Sequence, residues 1–108
     1  MKRWTDVEPL EFVRRMREGG LSADQVIDVR EQPEWDYYHL EQTTLMPMNT
    51  IPGRIDELPR DKPLYIICAH GVRSEAVCRY LHERGFGGLQ NVLGGMAAVA
   101  SHAGFEYD

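Results

Sequence analysis

The residues best suited to chemistry sit in one heptapeptide, Cys68-Ala69-His70-Gly71-Val72-Arg73-Ser74. It lies between an apolar run, Leu64-Tyr65-Ile66-Ile67, and a helical pattern that runs from Ser74 to Arg84. A helix start leaves backbone N–H groups without partners and carries a partial positive charge. A loop curling into such a start can hold an anion. Gly71 lets the loop close through backbone angles that other residues resist, and Arg73 adds a permanent positive charge. These features favour the thiolate of Cys68, which is the nucleophile and needs no general base. The same N–H groups would stabilise an anionic substrate or a negatively charged persulfide sulfur. The implied reaction is a double displacement, in which Cys68 takes sulfur from an anionic donor and passes it to a nucleophilic acceptor.

The elements that must position this loop follow from periodicity. Pro9 to Arg17 reads as a helix, with Leu10, Phe12, Val13 and Met16 as its apolar face, Pro9 in its first turn and Gly19-Gly20 as its stop. Val26 to Val29 and Leu64 to Ile67 read as buried strands. A helix is expected over Pro33 to Leu40, a weak strand over Leu45 to Met48, and a short helix or turn over Ile51 to Leu58. A last short strand is expected over Gln90 to Leu93, and a final helix over Met96 to His102. Strands alternating with helices of about ten residues indicate an α/β fold with a parallel sheet. In such sheets chemistry gathers at the carboxyl ends of strands. Cys68 stands at one such end, and Asp28 and Arg30 stand at another.

The remaining features mostly exclude. The 108 residues suit a single domain spanning 1–108. A net charge of -5 argues against a nucleic-acid partner. No apolar run approaches the ~20 residues needed to span a membrane, and the charged start is unlike a secretory leader. Two cysteines make no disulfide framework, so a reducing cytoplasm is the expected compartment. His39, His70, His82 and His102 show no metal-ligand spacing with Cys68 or Cys78, so neither a metal nor a cofactor is expected. Cys78 falls beside Val77 and Leu81 and reads as a buried structural thiol. His70 either contacts substrate or points to solvent. Arg73 either addresses the sulfur or braces the loop through a carboxylate such as Asp28 or Glu31. Asp28 and Arg30 stand as supporting candidates, Asp28 in a structural role.

The heptapeptide resembles the active-site loop of the rhodanese sulfurtransferases, in which a catalytic cysteine and the residues after it form a cradle following a central strand. Val26-Ile27-Asp28-Val29-Arg30-Glu31 is similar to that family's early Asp-Val-Arg segment. Glu34-Trp35 with His39-Leu40, and Gly85-Phe86 with Asn91-Val92-Leu93-Gly94-Gly95-Met96, resemble its later segments in the same order. The resemblance implies a rhodanese-like α/β fold, with about five mainly parallel strands flanked by helices. It implies Cys68 as catalytic residue and Ala69, His70, Gly71, Val72, Arg73 and Ser74 as the substrate cradle. The donor would be thiosulfate or a persulfide, the acceptor cyanide or a thiol, and a sulfur-relay protein is a further candidate partner. Related phosphatases place five residues between cysteine and arginine; here there are four, Ala69 to Val72, which favours sulfur over phosphate. A non-turnover persulfide carrier or regulatory module is the alternative reading, ahead of a cysteine-based phosphatase or arsenate reductase. Glu41-Gln42-Thr43 replaces the family's usual Pro-Gly-Ala, Tyr38 replaces a glycine, and Val99 stands near a common tryptophan.

Overall fold

The computed structural model describes residues 3–104. Five strands form one sheet: β1 (Thr5–Val7), β2 (Val26–Asp28), β3 (Thr44–Leu45), β4 (Leu64–Ile67) and β5 (Leu89–Val92). Their order is β1-β5-β4-β2-β3, and every pairing is parallel. The helices are α1 (Pro9–Arg17), α2 (Gln32–Tyr37), α3 (Ile51–Arg54), α4 (Val72–His82) and α5 (Gly95–His102).

β4 is central because it can be buried on both faces. Leu64 and Ile66 point into one apolar layer with Ile27, Val77 and Leu81. Tyr65 and Ile67 point into the other with Phe12, Val13, Met96 and Val99. Side chains of a strand alternate between faces, so four consecutive apolar residues fill both layers. α4 therefore covers one face, and α1 and α5 cover the other.

The parallel architecture follows the periodicity, with some boundaries shifted. β1 has no counterpart in the strand pattern read from the residues. Its Thr5 is exposed and its Asp6 half-buried, so only Val7 gives an apolar signal. It pairs residue by residue with Gln90, Asn91 and Val92. Leu10 does not join the apolar face of α1: it is 59% exposed, while Phe12 and Val13 are buried. α2 ends at Tyr37 rather than Leu40, because Tyr38 turns to an extended conformation at φ -163°. The weak strand expected at Leu45 to Met48 starts one residue earlier and stops at Leu45.

The turn that replaces Pro-Gly-Ala keeps a glycine-like shape. Gln42 has φ +58° and is the one non-glycine residue at positive φ among those described. Val99 is fully buried against Phe12, Val13 and Met96. A cleft lined by Val13, Met16, Tyr38, Leu40 and Val99 opens beside it.

Candidate functional site

Cys68 follows β4 directly and is 1% exposed. Its main chain is held from the last helix: the Met96 N–H donates to the Cys68 carbonyl at 2.7 Å, and the Ala97 N–H donates to the Ala69 carbonyl at 3.0 Å. These contacts require glycine at position 95. A Cβ there would lie 2.5 Å from the Cys68 carbonyl oxygen, and the residue's φ of +59° also disfavours any side chain. The start of α5 is thus spent on fixing the carboxyl end of β4.

The Cys68 Sγ accepts a hydrogen bond from the Gly71 N–H at 3.0 Å. Gly71 caps α4 with φ +103°, a conformation that turns the loop back over the sulfur. Val72, Arg73 and Ser74 form the first turn of α4, and first-turn N–H groups have no partner within their own helix. In its thiol form Cys68 donates to the Ser74 Oγ at 3.4 Å. Ser74 is fully buried, while His70 is exposed and Val72 is 78% exposed at the mouth.

Arg73 takes neither of the carboxylate partners expected for it. Its guanidinium makes a two-pronged contact with Glu34 of α2, Nη1 to Oε1 at 2.9 Å and Nη2 to Oε2 at 2.8 Å. That bond holds the Glu34 carboxyl well down, to about 2, and shifts Arg73 upward in turn. The charge of Arg73 still reaches the Cys68 sulfur.

Asp28 and Arg30 build the strut behind this brace. Both side chains are fully buried, and the Arg30 Nη2 donates to Asp28 Oδ2 at 2.8 Å. Arg30 also donates to the carbonyls of Glu34 at 3.3 Å and Tyr38 at 2.7 Å. A buried ion pair needs such extra hydrogen bonds to offset its desolvation. The chain Asp28–Arg30–Glu34–Arg73 ties the end of β2 through α2 to the loop.

Cys78 lies fully buried on α4. Desolvation, with the charge of Asp6 next, pushes its thiol up to about 12, so it stays protonated at neutral pH. Two residues that touch the site carried no sequence signal for it. Glu34 resembled a family position without a stated role, and Asn91 meets Ser74 only because β5 lies beside β4. Among the described residues no group of three or more His, Cys, Asp or Glu could hold a metal ion, and no helix is long and apolar enough to cross a membrane.

Fold and site together define an α/β protein with a cysteine seated between a strand end and a helix start. The model of the rhodanese-like domain matches residues 8–102, and the chain belongs to that family. It is 35% identical over 77 residues to a sulfurtransferase of Allochromatium vinosum, covering 71% of this chain and 72% of that one. It is 42% identical over 81 residues to a putative sulfurtransferase of Bacillus subtilis, covering 72% and 78% respectively. The crystal structure of a rhodanese-like domain protein from Staphylococcus aureus superposes with a TM-score of 0.80 at 33% identity, over 88% of this chain and 90% of that one.

Proposed function

We propose that this protein is a sulfurtransferase in which Cys68 is the nucleophile and carries the transferred sulfur as a persulfide. The observation that supports this reading best is the seat of the Cys68 sulfur, at a strand end, under the Gly71 N–H and against the first turn of α4. Relatives bearing the name sulfurtransferase support the general activity.

The thiolate attacks the outer sulfur of a donor such as thiosulfate. A sulfur–sulfur bond forms to Cys68 Sγ, the donor's own sulfur–sulfur bond breaks, and sulfite leaves with the electron pair. The persulfide's negative outer sulfur rests among the loop N–H groups of Ala69 to Ser74. Such preorganised donors stabilise charge at little reorganisation cost. An acceptor nucleophile, cyanide or a thiolate, then takes the outer sulfur and returns Cys68 as thiolate. Arg73, held by Glu34, contributes its field while leaving the loop geometry fixed. Asp28 and Arg30 act through that brace.

Intact mass after thiosulfate treatment tests the reading. A gain of about 32 Da that is lost on reduction is expected, and Cys68→Ala should abolish it. Full thiocyanate production by Cys68→Ala would refute the proposal. Loading without multiple turnover on cyanide or small thiols would replace the enzyme with a sulfur carrier. Hydrolysis of an aryl phosphate without any sulfur loading would replace it with a phosphatase.

A further inference from the structure

Beneath the cradle a line of polar side chains runs from the sheet edge to the sulfur. Asp6 of β1 and Asn91 of β5 are paired in register. The Asn91 Nδ2 donates to Asp6 Oδ1 at 3.4 Å. The Ser74 Oγ lies 2.6 Å from Asn91 Oδ1 and 3.1 Å from the Gly71 carbonyl. Its other neighbour is the Cys68 Sγ, at 3.4 Å. Ser74 is fully buried and Asn91 is 2% exposed, so their polar atoms must find partners within the protein.

The hydrogen-bond directions are forced by chemistry. A carboxylate only accepts, so Asp6 turns the amide N–H₂ of Asn91 toward itself and the amide oxygen toward Ser74. Ser74 has a single hydroxyl hydrogen, and the short contact to Asn91 Oδ1 claims it. Ser74 therefore shows the sulfur a lone pair. Turning its hydrogen to the sulfur would leave two oxygens facing each other at 2.6 Å with nothing between them. Flipping Asn91 to relieve that would set its oxygen against the Asp6 carboxylate.

We propose that Asp6, Asn91 and Ser74 are positioning residues that hold the Ser74 hydroxyl as an acceptor for the Cys68 S–H. They keep the proton on the unloaded thiol, in opposition to the Gly71 N–H. The proposal deepens the sulfurtransferase reading, because in a persulfide the charge lies on the outer sulfur and the lone pair of Ser74 no longer faces it. The line thus disfavours the bare thiolate and spares the loaded form. Other titratable groups around the thiol are Arg73 and Cys78 on α4; Glu75 of that helix and Asp6 bear on Cys78.

The test is the pH profile of iodoacetamide alkylation at Cys68, followed by mass of the Cys68 peptide in the full chain. It reads the thiol whether or not the protein transfers sulfur; thiosulfate loading of the unsubstituted protein, measured in parallel, tests the function separately. Ser74→Ala, Asn91→Ala and Asp6→Asn should each move the profile to lower pH, with alkylation at neutral pH at least about threefold faster, as for a half-unit change. A profile moved to higher pH in Ser74→Ala would show that serine donates to the thiolate, and would overturn the proposal. An acid-ward move in Ser74→Ala with no change in Asn91→Ala and Asp6→Asn would overturn the orienting line. If Asn91→Ala does not fold, the half-buried Asp6 position decides.

Discussion

Two cysteines on adjacent elements meet opposite environments. Cys68 ends a strand beneath a helix start and receives an N–H from Gly71. Cys78 sits one helical turn past Ser74, fully buried, with its thiol raised to about 12 by desolvation. Iodoacetamide applied to the native protein should therefore add one adduct, on Cys68, and a second only after unfolding; two native adducts by mass would contradict this. The Glu34–Arg73 pair has its own pH signature. The Glu34 carboxyl falls from 4.5 to about 2 in the folded protein. A depressed carboxyl contributes stability that is present above the unfolded value and is lost as pH falls through the folded one. Glu34→Gln should thus be less stable than the parent by about 1 kcal/mol at neutral pH, a figure reduced for partial exposure. That gap should close between pH 4.5 and about 2. Denaturant unfolding at a series of pH values measures it, and a gap independent of pH would remove the pair from the ledger.

At the scale of elements, two turns carry disproportionate weight. Gln42 holds the left-handed conformation that a glycine takes without strain. That conformation costs an L residue about 1–2 kcal/mol, and glycine's extra freedom when unfolded offsets part of it. Gln42→Gly should then stabilise by about 0.5–1 kcal/mol in chemical denaturation; a loss of stability would show that the Gln42 side chain matters. Gly95→Ala should act the other way, costing at least about 2 kcal/mol and most of the sulfur loading. Its Cβ would meet the Cys68 carbonyl at 2.5 Å, and unchanged loading would refute the grip of α5 on the loop. Elements of this kind differ in how visible they are in sequence. β4 is plain, since a strand buried on both faces must be apolar throughout. β1 is hidden, because a three-residue edge strand needs only Val7 inside. The heptapeptide is local and legible. Its brace is less so: Glu34 lies 39 residues from Arg73, and Asn91 lies 17 from Ser74 and 85 from Asp6. Such contacts exist only once the strand order is known.

At the scale of the molecule, the sheet couples the first strand to the last. β5 lies between β1 and β4, so Thr5 pairs with Gln90 and Leu64 with Leu89. Pairings this distant along the chain slow folding. In refolding from denaturant, Cys68 loading should therefore return with the final phase of folding rather than with early helix formation. Comparing loading with circular dichroism at helical wavelengths measures this, and early return of loading would contradict it.

The hold of Met96 and Ala97 on the carbonyls of Cys68 and Ala69 has a consequence for synthesis. Chains emerge from the ribosome amino end first. When Cys68 leaves the exit tunnel, β5 and the helix that anchors its main chain are still inside it and cannot pack against the loop. The loop gains its main-chain anchors only when α5 packs against it, so the site we propose is assembled after synthesis has passed α5 and not while Cys68 is emerging.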